Sequence, residues 1–373
     1  MKICLTGDVF LGGDLLNFDS KVIYSEVFNQ SNVRIINLEQ SVSNSEFSEN
    51  KSTLYTTSSA IKKLKDWNVN AVNLANNHIH DKGLDGINET IQHLNDEEIP
   101  SFGAGKNIRN AKEFFSIGDG IVILGYCDFN KPTLNNIAVA SNDCSGINPL
   151  RYENIIDDLS ALKGNMRAIL YFHWGREHMW FPSYENIQLA RKLLEHDKVL
   201  TIVGMHPHRI QGYIKHNNKK AYMCLGNFIF PNFFMLPPTA ICENPVHGES
   251  YLITRKYHVV SKLTYKKWSV VNRISMILEL DSKSNNIVHH FVYQKDDKPE
   301  VHDVSVFWQK ILNSFVAMLS FIYCLPRVLY LPIEKINIIL FKIYWNISIY
   351  IFRLKQDGFM IFFKKCLKKL KLL

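Results

Sequence analysis

Residues 70–83 read Asn-Ala-Val-Asn-Leu-Ala-Asn-Asn-His-Ile-His-Asp-Lys-Gly. Ala71, Val72, Leu74 and Ala75 give the first half the pattern of a buried strand. The strand runs into Asn76, Asn77 and His78, which are poor strand residues. They suit the carboxyl end of a strand in an α/β sheet, where ligands collect. Asp81 to Gly83 then turns the chain into a helix. Three other stretches share the design of an apolar run ending in polar chemistry. They are Ile3 to Asp8, Ala168 to His173-Trp174-Gly175, and Leu200 to His206-Pro207-His208.

Outward from these stretches the pattern is βαβα. Strands are expected at Lys2–Val9 and Val33–Leu38, the second followed by Glu39, and helices near 84–97, 151–163 and 183–196. Hairpins are expected around Gly118-Asp119-Gly120, Asn217-Asn218 and Ser284-Asn285-Asn286. This describes an α/β sandwich with mixed sheets; a (β/α)₈ barrel is the alternative. Six sites end or follow apolar runs: Asp8, Glu39, Asn77-His78, His173, His206 and His208. Two carboxylates, an amide and imidazoles suit one or two first-row divalent metals, Mn, Fe or Zn. Pro207 disfavours helix at His206, so the His206-Pro207-His208 segment is expected to be extended, both rings on one side. A carboxylate such as Glu39 could bridge two ions. Taken singly, Asp8 reads as a turn or cap residue and His173 as a core histidine; the joint pattern carries the metal reading. His178 and the other histidines lack it. No nucleotide-binding or nucleophile-elbow motif competes.

The net charge of +8 is unevenly placed. Residues 307–373 hold eleven Lys or Arg against two acids, which leaves the remainder near neutral. A basic nucleic-acid cleft is therefore not expected. Seven scattered cysteines without a C-x-x-C argue for a reducing compartment. Met1-Lys2 leads straight into a strand, so no leader is expected. The division expected is a catalytic body over 1–297 and an apolar, basic helical region over 298–373. Within that region, residues 311–326 are uncharged and 336–352 carry only Lys342. Residues 358–373 space Phe359, Phe362, Phe363, Cys366, Leu367 and Leu370 between lysines, as a basic amphipathic helix does. Peripheral or monotopic attachment to the cytoplasmic face of a membrane is expected.

Gly7-Asp8, Asn37-Leu38-Glu39, Ala75-Asn76-Asn77-His78, His173-Trp174-Gly175, Gly204-x-His206-Pro207-His208 and Leu225-Gly226-Asn227-Phe228 resemble, in order, the motifs of the CapA family. These capsule and poly-γ-glutamate synthesis proteins are related to calcineurin-like metallophosphoesterases. The resemblance covers about residues 1–235. It implies a four-layer α/β/β/α sandwich with a two-metal site at the strand ends. It implies Asp8, Glu39, Asn77, His173, His206 and His208 as ligands and His78 as the acid protonating the leaving group. Where those phosphoesterases place a metal-binding His two positions after the first acid, this chain has Phe10. The implied function is metal-dependent hydrolysis of a phosphoester or anionic polymer in surface-polymer synthesis or export. The alternatives are a non-catalytic assembly subunit of a membrane polymer synthase, with synthase subunits as partners, and an amidase acting on γ-glutamyl bonds.

Overall fold

The computed structural model describes residues 1–49, 53–129, 137–235 and 264–358. Two sheets stack face to face. The larger has, from one edge, Val301–Asp303, Ile287–Gln294, Ile274–Asp281, Lys2–Val9, Val33–Leu38, Ala71–Asn73 and Ser101–Phe102. Asn227–Ile229 adds an eighth strand, parallel to Lys2–Val9. The smaller runs Tyr213–His216, Lys219–Tyr222, Val199–Met205, Arg167–His173, Ile121–Cys127 and Phe115–Gly118. Central strands of both sheets are parallel, and the hairpins lie towards the edges. The three expected hairpins are all present.

Strand alternation builds the layers. Ile3, Leu5, Ile35 and Ala71 of the larger sheet meet Ile121, Ile123, Ile169 and Tyr171 of the smaller in one buried cluster. Cys4, Ile36 and Val72 point the other way. They pack under the helices α1 (Glu26–Gln30), α2 (Lys62–Asp66) and α3 (Gly83–Asp96) through Phe28, Leu64, Ile87 and Leu94. On the far side Val122, Leu124, Leu170 and Phe172 pack under the helices α4 (Tyr152–Ala161) and α5 (Tyr184–Glu195) through Ile155, Leu159, Ile187 and Leu193. The order helix, sheet, sheet, helix is the four-layer α/β/β/α sandwich, not the barrel.

Two helices follow: α6 (Val306–Tyr323) and α7 (Arg327–Asp357). The second runs from the turn at Pro326 through Pro332 and holds the segment 336–352, while 311–326 lies in the first helix and the turn that ends it. The region beyond 297 is not one unit. Leu319 and Tyr323 of α6 and Tyr330 of α7 belong to the core of the smaller sheet, and Leu312 and Val316 to the core between the sheets. Gly212 makes this docking possible: a Cβ there would lie 2.7 Å from the Ser320 nitrogen. Beyond Tyr330, α7 is largely exposed and apolar, with Ile336, Ile339, Leu340, Ile343 and Ile347 all open to solvent. The expected basic amphipathic segment 358–373 lies, apart from Gly358, outside the described residues.

Candidate metal centre

The site begins with a close approach of two backbones. A Cβ on Gly7 would lie 1.9 Å from the Gly226 carbonyl oxygen. Only glycine lets the strand at 227–229 pair beside the first strand, where the Asp8 amide donates to Gly226 O at 3.1 Å. Asp8, Asn37 and Asn73 then stand in register on three neighbouring parallel strands. Asn73 Nδ2 donates to Asn37 Oδ1 at 2.7 Å, and Asn37 Nδ2 donates to Asp8 Oδ1 at 2.7 Å. The ladder needs space on the facing sheet: a Cβ on Gly125 would lie 2.0 Å from Asn73 Oδ1. With Oδ1 held, Asp8 Oδ2 faces the His206 amide at 3.3 Å and His208 Nδ1 at 3.7 Å.

Glu39 follows the second strand by one residue and is fully buried. Both of its carboxylate oxygens are enclosed, and neither accepts a hydrogen bond from the described residues. His173 Nε2 lies 3.7 Å from Glu39 Oε1, and His208 Nε2 lies 3.9 Å from the same atom. Glu39 therefore belongs to two donor groups. One is Glu39, His173 and His206, the other Asp8, Glu39 and His208; within each, one atom per residue lies within 4.8 Å of the others. Asn77 Oδ1 is 2.7 Å from His173 Nε2, so an amide oxygen converges on the first group.

The expected extended conformation at 206–208 is not what forms. The strand ends at Met205, and His206 and His208 both take positive φ, 91° and 54°. Such backbone costs roughly 1–3 kcal/mol per residue and persists where its surroundings dictate it. Here it sends the two rings, 6.2 Å apart, to different donor groups. His208 Nδ1 pairs with Asn227 Oδ1 at 2.8 Å, and Asn272 Nδ2 donates to the His208 carbonyl at 2.8 Å.

His78 is outside both groups. Its Nδ1 lies 2.6 Å from Asp81 Oδ2, and its amide donates to Asn76 Oδ1 at 3.0 Å. Phe10 packs its ring on Phe230 and Phe233, with centroids at 5.4 and 5.7 Å, so that position supplies apolar packing.

Burial governs the electrostatics. It pushes the Asp8 carboxyl up to about 7, although the bonds from Asn37 and the His206 amide pull the other way. Glu39 is pushed well above the usual carboxylate range, first by burial and then by Asp8, Glu177 and Asp81. Burial, with help from Lys266 and His78, brings His208 down to about 3, so its imidazole is neutral at ordinary pH. Two carboxylates that resist ionisation in an enclosed space, together with neutral imidazole and an amide oxygen, fit a divalent transition ion that would restore their charge.

The structure brings Asp8, Glu39, Asn77, His173, His206 and His208 together and sets His78 at the rim. Sequence reasoning missed the residues that hold them. Asn37 and Asn227 sit inside the quoted motifs, which was the available signal. Asn73 looked like part of a strand. His178 was passed over, yet its ring lies 5.8 Å from that of His208. Lys266, Trp268 and Asn272 follow a long segment with no motif.

A model of the family described as bacterial capsule synthesis protein PGA_cap matches residues 2–232. The chain is 29% identical over 219 residues to the PGA biosynthesis protein CapA of Bacillus subtilis (strain 168), covering 57% of this chain and 52% of that protein. It is 28% identical over 178 residues to the capsule biosynthesis protein CapA of Bacillus anthracis, covering 46% and 42%. The chain thus spans about half the length of the curated relatives it matches. Among solved structures, the calcineurin-like phosphoesterase YfkN from Bacillus subtilis aligns with a TM-score of 0.33 at 12% identity, over 81% of this chain and 88% of that one.

The raised carboxyl of Asp8 has a consequence for stability. Its pKa rises from 3.8 to about 7 on folding, so the metal-stripped fold binds this proton more tightly than the unfolded chain does. That contribution is complete below about pH 4 and is lost as pH climbs towards 7. A bound cation takes the ionised form and reverses the loss. The rise in unfolding midpoint on adding Mn²⁺ should therefore be clearly larger at pH 8 than at pH 5. Equal rises at both pH values would contradict this reading of the site.

Proposed function

The chain belongs to the bacterial capsule synthesis protein family PGA_cap, and on that premise we propose that it is a metal-dependent hydrolase working in the synthesis or export of a surface polymer. The observation that carries the proposal is the sharing of buried Glu39 between two donor groups. Asp8, Glu39, Asn77, His173, His206 and His208 would hold one or two ions of Mn, Fe or Zn. Such an ion supplies Lewis acidity and lowers the pKa of water to about 7.

The chain's own residues account for the rest of a phosphoester hydrolysis. The Asn73–Asn37 ladder fixes Asp8, and Asn227 fixes the His208 ring. Asp81 accepts from His78 Nδ1, which leaves Nε2 to carry a proton at the edge of the site. The oxygen of a water bonds to phosphorus as one of its protons passes to solvent, the bond from phosphorus to the leaving oxygen breaks, and His78 gives that oxygen its proton and regains one from solvent. Phe10 favours a second reading, in which the same cleft binds polymer without turning it over in a membrane-bound synthase, because the position carries no ligand.

The reading includes attachment at the cytoplasmic face of a membrane; the exposed apolar side chains of α7 support attachment to a bilayer, with the helix lying in its plane. Lys335, Lys342 and Lys355 punctuate this helix, as an interfacial helix requires and a spanning one does not. Among the described residues, Val306–Tyr323 is the one helix long and apolar enough to cross a membrane, but its inward face is committed to the core.

His78→Ala should keep its metal and lose roughly 10²–10⁴-fold in turnover of a phosphodiester with a poor leaving group. Unchanged turnover would remove His78 from the reaction, and no turnover by the intact protein on any phosphodiester would leave the binding role. The full-length protein should co-sediment with phosphatidylglycerol vesicles at low salt and be partly released at high salt. A protein that stays wholly in the supernatant refutes the attachment.

A further inference from the structure

The exposed helix and the metal centre are joined by a row of aromatic rings. On α7, Phe341 and Trp345 are four residues apart and share a face; their rings stack with centroids 5.5 Å apart. Trp345 stacks on His178 at 5.6 Å, and His178 lies 5.8 Å from His208 and 6.1 Å from Trp268. Trp268 in turn lies 5.3 Å from His208. The row thus runs from the apolar helix to a residue of the Asp8–Glu39–His208 group.

The helix is fastened where this matters. Glu334 accepts from Arg176 at 3.3 Å and from the Tyr184 amide at 3.1 Å, and the Tyr330 hydroxyl donates to Pro182 O at 2.6 Å. These contacts clamp α7 to the loop that leaves His173. At the inner end of the row stands Lys266, whose Nζ lies over the Trp268 ring at 4.3 Å; burial pulls its pKa down, while Glu177 and Glu39 favour its charged form. Phe341 and Trp345 face this row, while Leu340, Ile343, Tyr344 and Ile347 around them are exposed.

We propose that the substrate is a membrane-held amphiphile, a lipid-linked phosphoester whose anionic group lies between the ligand cluster and Lys266 and whose apolar chain follows Trp268, His178, Trp345 and Phe341 towards the bilayer. This rests on the hydrolase reading and narrows its substrate. A soluble anion would need the cluster and the lysine but no apolar row. A row used only for packing would show no preference for chain length.

The test compares methyl phosphate with hexyl phosphate binding to the Mn-loaded full-length chain by calorimetry. Partial burial of five extra methylenes should make hexyl phosphate bind about tenfold or more tightly. Trp345→Ala and Phe341→Ala should reduce that ratio to about threefold or less and leave methyl phosphate unchanged; Trp345→Phe should keep it. Lys266→Met should weaken both ligands alike. Equal affinity of the intact protein for the two phosphates overturns the proposal, as does a ratio unmoved by the aromatic substitutions. A chain-length preference without cleavage of any phosphodiester supports the amphiphile site and removes the hydrolase reading. Cleavage without chain-length preference does the reverse.

Discussion

Asp8 and Glu39 are two acids buried side by side at the ends of neighbouring strands, and much of the chain answers that fact. Burial alone would drive both to the neutral form. Instead the first is held by an asparagine ladder crossing three strands, and the second has its oxygens enclosed and accepts no hydrogen bond among the described residues. The imidazoles of His173, His206 and His208 arrive from the facing sheet, two of them through strained backbone. Native structures rarely keep a buried carboxylate unsatisfied. A cation shared through Glu39 gives the arrangement a reason.

The glycines of this region have a common use. Gly7 and Gly125 have no side chain because a carbonyl oxygen or an asparagine amide occupies the space. Any larger residue would push the first strand from its neighbour or the Asn73 amide from its seat. Gly7 thus sets the spacing of two strands within the larger sheet and Gly125 the approach of the two sheets, and the positions of Asp8 and Asn73 follow from them.

Much of this was legible in the sequence. Lys2–Val9 and Val33–Leu38 are apolar runs with sharp polar ends, and a buried parallel strand advertises itself in that way. The donor residues that the structure brings together could be read because each ends or follows such a run. The backbone at 206–208 could not: Pro207 argues for extension, whereas both histidines take positive φ, which non-glycine residues rarely adopt and which no local pattern signals. The Asn73–Asn37 ladder was hidden because register across a sheet is not written in one strand. The docking of α6 was hidden because a helix apolar enough for a membrane is also apolar enough for a core. Its inward face is fixed by Gly212 and by the Tyr323 and Ser320 hydroxyls that meet the Tyr213 strand.

The central claim is that Glu39 joins the two donor groups. Metal content after loading with Mn²⁺ and desalting at neutral pH tests it most directly. The intact protein should keep at least about one equivalent per chain, and Glu39→Gln should keep less than about 0.1, since losing the shared ligand dismantles both groups at once. A Glu39→Gln protein that folds and retains the metal content of the intact chain would contradict the account.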